Sequence, residues 1–310
     1  MSSAAAFAVV GCVVVYASYR LADARRRFRH VAAAYARDGF VAPLRILSAS
    51  EAAEALAALD AHERMACGGA LHGDARFKLH LLYPWAAKLV RHPRLTKAVA
   101  AALGTNDLLV WSSDINAKPA ATPTFASAHQ DSTYANLEPA DGALTAWLAL
   151  TDAPSEAGCL VFAAGSHRLG QVHHTETHAP DSLLSLGQRI DGFDESSGGD
   201  GTAAELLAGE ASLHSFRTIH WSGPNRSKRR RVGFAIRYVR ADIGRAEGGR
   251  RARESATLVR GHYTPSQGAF DLEPEPQHAA GEAERASHQD AMARERQNYF
   301  QSDCSRRVYK

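Results

Sequence analysis

The chain has 310 residues, of which 45% are hydrophobic and 22% are charged, a composition typical of a globular protein with a buried core. A formal net charge of +3 gives no reason to expect a nucleic-acid partner. The cysteines are far apart in sequence and form no CxxC pair, which argues against a disulfide framework or a zinc–thiolate site. Their spacing favours a reducing, intracellular compartment. They are Cys12, Cys67, Cys159 and Cys304.

The chain begins with an apolar run over residues 4–19, followed by an arginine-dense segment. The run is shorter than the roughly 20 apolar residues that a helix needs to cross a bilayer. Its basic residues follow the run, whereas a cleaved secretory signal carries them before it. We interpret residues 1–29 as an N-terminal membrane anchor with its basic flank in the cytosol. The alternatives are an organellar targeting peptide and a simple apolar extension.

The rest of the chain divides into a helical part and a strand-rich part. Three segments predict helices: residues 30–43, which end in a glycine turn and an extended stretch, residues 48–63 with Ser48 as N-cap, and residues 95–104 closed by Gly104. From residue 107, apolar runs separated by proline, glycine and aspartate turns predict short strands. Residues 171–202 are less regular, and strands return after them. This order indicates an α+β, mainly β protein with an antiparallel sandwich or barrel core.

The pattern His-x-Asp occurs three times, at His72/Asp74, His129/Asp131 and His288/Asp290. A strand places residues i and i+2 on one face, so an extended pair directs an imidazole and a carboxylate to one point. In a helix the two side chains diverge, because successive residues turn by about 100°. The third pair lies in a helix-like segment and is expected on a solvated surface, and the first lies in a loop with no evident partner. Only the second pair has the local geometry of a metal site.

A ferrous site with two histidines and one carboxylate needs its second histidine from another strand, and it leaves three coordination positions open. His214 and His220 are the candidates. His220 precedes a Ser-Gly-Pro turn, and Arg231 lies on the strand that follows. A guanidinium at that place would hold an organic carboxylate through two parallel hydrogen bonds.

Four segments of the chain resemble the phytanoyl-CoA dioxygenase family of Fe(II)/2-oxoglutarate oxygenases. They are AHQDSTYANLEP, TAWLALTDAPSEAGCLVFAAGSHRLG, LLSLGQRI and LHSFRTIHWSGPNRSKRRRVGFAIRYV. The resemblance extends from about residue 34 to about residue 272. It implies a double-stranded β-helix, which is a cupin-like jelly roll, with N-terminal helices packed outside. We therefore divide the chain into the apolar segment 1–29, a dioxygenase domain over 30–272 and a polar C-terminal extension over 273–310.

The resemblance also implies roles for individual residues. It makes His129, Asp131 and His220 the iron ligands and catalytic centre, and it assigns the distal carboxylate of 2-oxoglutarate to Arg231 with help from Ser222. Three further residues match positions that line the co-substrate pocket: Asn116, Thr145 and Lys118. The implied cofactors are Fe(II), 2-oxoglutarate and O2, with succinate and CO2 as products and a small-molecule or lipid-like substrate. Related halogenases carry a small residue where this chain has Asp131, so hydroxylation is expected. No obligate protein partner is implied.

The chain departs from the family pattern at Ala128 and Ala135, where family members often carry tryptophan. Both changes are expected to open or reshape the pocket. They motivate an alternative function, a non-catalytic jelly-roll protein that binds metal and 2-oxoglutarate. The SGPNRS and LVRG segments favour a narrower alternative, an aminophosphonate hydroxylase.

The remaining histidines, tryptophans and basic residues have simpler interpretations. His167, His173, His174 and His214 are interpreted as structural or as neighbours of the site. Trp111 and Trp221 are interpreted as core aromatics, and Trp147 as a core aromatic or a wall of the site. In the SKRRR segment, a strand would place Arg229 and Arg231 on one face and Arg230 on the other, and one of these faces is expected to point into the barrel; a nuclear-localisation or phosphate-binding patch is the alternative.

Overall fold

The computed structural model describes residues 29–67, 71, 73–135, 137–177, 179, 181–184, 188–193, 195, 201–245 and 253–299. The predicted anchor over 1–29, apart from its last residue, lies outside these residues, and so does His72 of the first His-x-Asp pair. Over the described ranges, no helix combines the length and apolar character needed to cross a membrane.

The helices of the described residues are α1 (29–38), α2 (Ala49–His62), α3 (Leu79–Leu82), α4 (Pro84–Val90), α5 (Pro93–Leu103), α6 (Ser132–Ala135) and α7 (Glu282–Tyr299). The strands of the same part of the chain are β1 (Phe40–Arg45), β2 (Leu108–Lys118), β3 (Ala126–His129), β4 (Leu137–Glu138), β5 (Ala143–Ala149), β6 (Leu160–Ala163), β7 (His174–Thr175), β8 (Arg189–Ile190), β9 (Gly201–Ala204), β10 (Glu210–Ser215), β11 (His220–Ser222), β12 (Arg231–Arg240), β13 (Gly244–Arg245), β14 (Glu254–Arg260) and β15 (Phe270–Leu272).

The helices predicted near the N-terminus form where the sequence places their caps. Ser48 accepts a hydrogen bond from the backbone N–H of Glu51, and the Glu51 carboxylate accepts one from the backbone N–H of Ser48, which is a capping box at the start of α2. Helix α5 ends at Gly104, whose φ of 69° is the left-handed conformation that glycine adopts without steric cost. The short helices α3 and α4 lie in a stretch where no helix is predicted from the sequence.

Two sheets form the centre of the molecule. Over the described residues, one sheet has the strand order β1-β10-β5-β12-β2-β14-β15 and the other has the order β3-β11-β6-β9. Phe40 from the first sheet stacks on Phe162 from the second with ring centroids 4.6 Å apart. The pairings are antiparallel except that between β14 and β15. Two facing sheets of this kind are the jelly roll that the sequence predicts.

Alternation along β5 explains how one strand serves both the core and the interior of the barrel. Leu144, Ala146 and Leu148 pack in the core cluster shared with helices α1 to α5. Thr145 and Trp147 project to the opposite face, towards the second sheet, because side chains of a strand alternate with a period of two. The helices therefore cover the outer face of the larger sheet, as predicted, and the inner faces of both sheets enclose a cavity.

Candidate metal centre

The three predicted metal ligands lie close together in the second sheet, at the end of β3 and the start of β11. They are His129, Asp131 and His220. His129 is the last residue of β3 and is the cross-strand partner of His220, the first residue of β11. Asp131 lies just past the end of β3, and all three side chains are buried. One ligand atom from each residue can be chosen so that all three atoms lie within 4.8 Å of one another. The sequence prediction that distant β segments bring these three residues together is thus met by the geometry.

Both imidazoles are oriented by a backbone carbonyl. His129 Nδ1 donates to the carbonyl oxygen of Ser127 at 2.8 Å, and His220 Nδ1 donates to that of Thr218 at 3.0 Å. In each ring the Nε2 atom then carries the lone pair. Burial lowers the pKa of His129 to about 3 and that of His220 to about 4. Both rings are therefore neutral at physiological pH, and each can donate the lone pair of Nε2 to a metal ion.

The carboxylate of Asp131 is held by groups from the larger sheet. Thr145 Oγ1 donates to Asp131 Oδ2 at 2.5 Å, and His214 Nε2 lies 3.4 Å from the same oxygen. Burial alone would raise the pKa of Asp131, but His214, His220 and Arg237 hold that pKa well below its ordinary value. Asp131 is therefore ionised, and one of its oxygens is oriented by neighbours from β5 and β10.

His214 was predicted to be structural or a neighbour of the site, and it lies against the triad. Its ring centroid is 4.4 Å from that of His220 and 5.0 Å from that of Phe162. It is the cross-strand partner of Thr145. Because β10 and β5 are adjacent, the two groups nearest to Asp131 come from neighbouring positions of the same sheet.

Arg237 is a cation near the triad that the sequence analysis did not select. It lies on β12 opposite Thr145 and pairs with the buried Asp114 at 2.5 Å. Arg231, Gly233, Ala235 and Arg237 alternate with apolar residues that face the helices, so the β12 pattern, read with a period of two, contained this signal. Sequence alone does not show how far along the strand the cavity extends.

Arg231 lies deeper in the same cavity and is almost fully buried. Its Nη1 donates to the carbonyl of Gly158 at 2.6 Å, and its guanidinium carbon lies 4.9 Å above the ring of Trp147. Its Nε atom is buried without a hydrogen-bond partner. Gly158 has a φ of 69°, and a Cβ atom there would lie 2.2 Å from the carbonyl oxygen of Gly223, so the turn that holds the guanidinium requires glycine.

The remaining predicted co-substrate residues surround this guanidinium. Asn116 lines the cavity and accepts a hydrogen bond from Trp147 Nε1 at 3.3 Å. Ser222 also lines the cavity, and its hydroxyl accepts a hydrogen bond from Lys118 Nζ at 2.7 Å. Burial and the charge of Arg231 lower the pKa of Lys118 to about 6. Thr145 differs from these residues, because its hydroxyl is directed to Asp131.

Trp147 lines the cavity, in agreement with its interpretation as a wall of the site, whereas Trp111 and Trp221 are buried in hydrophobic clusters. The expectation that Ala128 and Ala135 open the pocket is wrong. Ala128 packs with Ile219 and Trp221, and Ala135 packs in the cluster around Trp111 and Phe216. Neither alanine is part of the cavity lining.

One expectation about a charged residue is also wrong. Arg229 is exposed and does not share a strand face with Arg231, because β12 begins only at Arg231. Asp74 lines the cavity and forms an ion pair with Arg296 of α7, which is a cation and not a further metal ligand.

The third His-x-Asp pair is helical, as predicted, but His288 is not on a solvated surface. It is buried, and its Nε2 hydrogen-bonds to the carbonyl of Phe77 at 2.9 Å. Asp290 is exposed and pairs with Arg294 at 2.8 Å. The pair cannot bind one ion, because its two side chains leave the helix in different directions.

Comparison with known proteins gives one curated relative and many solved structures. A probable alpha-ketoglutarate-dependent hypophosphite dioxygenase from Stutzerimonas stutzeri is 31% identical over 169 residues. The match covers 53% of this chain and 56% of that protein, so it spans about half the length of the relative.

The solved structures match over more of the chain. The non-heme monooxygenase ThoJ is 33% identical, and the match covers 87% of this chain. It covers 98% of the apo form with a TM-score of 0.76, and 99% of the nickel complex with a TM-score of 0.71. The epimerase SnoN in complex with Fe3+, alpha ketoglutarate and nogalamycin RO is 25% identical, covers 73% of this chain and 88% of its own, and has a TM-score of 0.59.

The family model of phytanoyl-CoA dioxygenase matches residues 35–233, which include His129, Asp131, His220 and Arg231. The match covers more than half of the chain, and the fold is shared with solved non-heme proteins, one of them bound to nickel and another bound to Fe3+ and alpha ketoglutarate. The chain belongs to the phytanoyl-CoA dioxygenase family of non-heme, 2-oxoglutarate-dependent oxygenases.

Proposed function

We propose that this protein is an Fe(II)- and 2-oxoglutarate-dependent hydroxylase of a small-molecule or lipid-like substrate. The observation that carries the proposal is the shared cavity of the His129, Asp131 and His220 triad and the buried guanidinium of Arg231. The triad supplies the ligand set of a ferrous site, and the guanidinium supplies a fixed partner for a carboxylate.

The residues of the triad fit a divalent iron ion. Two neutral imidazoles present Nε2, and Asp131 presents an ionised carboxylate, so the site brings a single negative charge to an ion of charge +2. These three ligands leave three of six positions open for an organic acid and O2. Burial of all three side chains keeps them from competing solvent partners.

Arg231 fits the distal carboxylate of 2-oxoglutarate. Its Nε atom is buried and lacks a hydrogen-bond partner, which is an unfavourable arrangement that a bound carboxylate would relieve. Ser222 lines the same end of the cavity, and Lys118 is bonded to it. A dicarboxylate bound here would also favour the protonated form of Lys118, whose pKa is lowered to about 6 in its absence.

When bound, iron with 2-oxoglutarate and O2 supplies the oxidising power. One oxygen atom enters a substrate C–H bond to give C–OH, and the other enters succinate as CO2 is released. The chain itself orients the reactants. Thr145 and His214 hold Asp131, Trp147 packs against the guanidinium of Arg231, and Asp114 holds Arg237 near the triad.

The non-catalytic alternative loses its motivation, because Ala128 and Ala135 lie in packed clusters away from the cavity. The aminophosphonate alternative stays a prediction. The name of the Stutzerimonas stutzeri relative adds hypophosphite to the substrates worth testing. Fatty acyl-CoAs, amino acids and aminophosphonates complete the panel.

The domain division also stays a proposal: an anchor over 1–29, an oxygenase domain over 30–272 and an extension over 273–310. If residues 1–29 hold the protein at a membrane, a lipid-like substrate gains support. Release of the full-length protein into the soluble fraction by carbonate extraction would contradict the anchor.

The test is succinate formation by protein loaded anaerobically with Fe(II), then given 2-oxoglutarate, O2 and the substrate panel. We expect succinate from the wild type and one panel member that increases it and gains one oxygen atom by mass spectrometry. We expect Arg231→Leu to raise KM for 2-oxoglutarate by about 10-fold or more, since a charge-assisted pair contributes roughly 1.5–3 kcal/mol. Arg229→Leu is the matched control, because Arg229 is exposed outside the strand. Metal-loaded wild type that consumes no 2-oxoglutarate would contradict the proposal.

A further inference from the structure

The C-terminal helix α7 lies outside the residues that match the family model, yet it forms one wall of the triad cavity. Met292, Glu295 and Arg296 of this helix line the cavity together with His129 and His220. The helix is tied to the rest of the molecule at several points, including the bond from His288 to Phe77 and the ion pair of Arg294 with Asp271. Its inward side chains are therefore placed by tertiary contacts.

Glu295 is the α7 side chain whose bonding is incomplete. It is 8% exposed, and its Oε1 accepts a hydrogen bond from Ser112 Oγ at 3.3 Å. Its Oε2 is buried without a hydrogen-bond partner. The ammonium of Lys78 lies 3.9 Å from Oε2, but it is already bonded to Glu273 at 2.8 Å and to the carbonyl of Trp111 at 2.7 Å.

The charges around Glu295 leave an excess of negative charge. Lys78 is the ammonium partner of both Glu273 and Glu295. A third buried carboxylate, that of Glu254, interacts electrostatically with Lys78 and with Glu295. Burial, Glu254 and Glu273 raise the pKa of Glu295 to about 7, although Lys78 and Arg237 lower it. An arriving positive charge would be stabilised at this position.

The other charged groups of the cavity wall already have partners on the protein. Arg237 pairs with Asp114, Asp74 pairs with Arg296, and Arg231 donates to the carbonyl of Gly158. Glu295 thus lines the cavity with a carboxylate whose bonding within the described residues is incomplete, since its Oε2 atom accepts no hydrogen bond.

We propose that Glu295 binds a cationic nitrogen of the substrate, so that the substrate class is an organic ammonium compound whose N–H donates to the Glu295 carboxylate. This inference rests on the proposed hydroxylase function and adds the chemical class of its substrate. The cavity then has two binding groups of opposite charge. Arg231 binds the carboxylate of the co-substrate, and Glu295 on α7 binds the cationic nitrogen of the substrate.

The test compares small probes of matched shape on protein loaded anaerobically with Fe(II) and 2-oxoglutarate. The probes are n-butylammonium, n-butanol and butanoate, and each titration is followed by calorimetry and by visible absorption of the loaded protein. We expect the dissociation constant of n-butylammonium to be at least 10-fold lower than those of the other probes. We expect Glu295→Gln to remove this preference and Glu282→Gln, an exposed change on the same helix, to keep it.

Equal binding of the three probes to the wild type would overturn the inference, whatever the folding of the variants. A preference for the ammonium that survives in Glu295→Gln would overturn it as well, and thermal unfolding would establish that this variant is folded. Succinate measured on the same wild-type preparation separates the two proposals. Ammonium preference without succinate supports Glu295 recognition and contradicts the hydroxylase; succinate without ammonium preference contradicts Glu295 recognition alone.

Discussion

The tripeptide His-Gln-Asp occurs in two regions of this molecule, and its side chains do different things in each. At the end of β3, His129 and Asp131 project to the same side and meet His220. In α7, His288 turns inward to the carbonyl of Phe77, while Asp290 faces solvent beside Arg294. The residue types are identical, so the backbone conformation decides which pair can hold an ion.

The two regions also differ in how their buried polar groups are satisfied. Close to α7, the buried Glu273 is bonded to Lys78, Ser255 and Thr257, so its bonding is completed inside the chain. At the triad, Nδ1 of His129 and Nδ1 of His220 each donate to a backbone carbonyl, so Nε2 of each ring stays available to a metal ion. Buried groups that find all their partners within the protein indicate structure, and groups that leave one side without a partner indicate a ligand.

The largest difference between the two copies of the tripeptide is expected when the carboxylate of each is removed. We expect Asp131→Ala to lower Fe(II) affinity and succinate formation by at least ~100-fold, since even loss of a residue that merely orients a metal ligand costs 10–100-fold. Asp290→Ala removes an exposed ion pair and is expected to leave both unchanged, with a cost below about 1 kcal/mol in unfolding free energy. Iron titration and succinate assays on both variants decide the matter; equal losses would contradict the assignment.

The second prediction concerns the fully paired region. Lys78→Met leaves the buried Glu273 without its ammonium partner, so we expect the free energy of unfolding to fall by about 3–5 kcal/mol. Lys97→Met, at an exposed position on α5, is the control and should change it by less than about 0.5 kcal/mol. Urea denaturation measures both values. A small effect of Lys78→Met would show that the ion pair of Lys78 with Glu273 contributes little to the stability of the fold, and the assignment of a structural role to this region would be wrong.

A milder change sharpens the role assigned to Thr145. Thr145→Val removes the hydroxyl that donates to Asp131 Oδ2, and we expect Fe(II) affinity to fall by about 10–100-fold while the fold is retained. Thr96→Val is the matched control, because Thr96 donates to the carbonyl of His92 at the start of α5 and is not part of the cavity lining. Calorimetric Fe(II) titration gives both affinities, and an unchanged value for Thr145→Val would remove Thr145 from the site.

The smallest effect is a pH dependence in the paired region. Burial would raise the pKa of Glu273, but Lys78 and His80 hold that pKa well below its ordinary value. A lowered carboxyl pKa stabilises the fold above the unfolded-state pKa of about 4.3, and the stabilisation is lost as the pH falls below it. The difference in unfolding free energy between wild type and Glu273→Gln should therefore narrow as the pH falls from about 6 towards 3. Urea denaturation across this range would show a constant difference if Glu273 were not ionised in the fold.

Sequence by itself determined the elements whose signals are local. The Ser48 cap and the Gly104 terminus each depend on residues a few positions apart, and each agrees with the structure. The selection of His129/Asp131 over the helical pair also depended only on backbone period.

Tertiary structure decided the contacts whose members are distant in sequence. The choice of His220 as the cross-strand partner of His129, the approach of His214 and Thr145 to Asp131, and the entry of Glu295 into the cavity all depend on strand register and helix docking. Register is set by the packing of whole sheets, because shifting a strand by one residue turns every side chain to its other face. No local pattern around Glu295 could show that this residue would line the triad cavity, since only the docking of α7 brings it there.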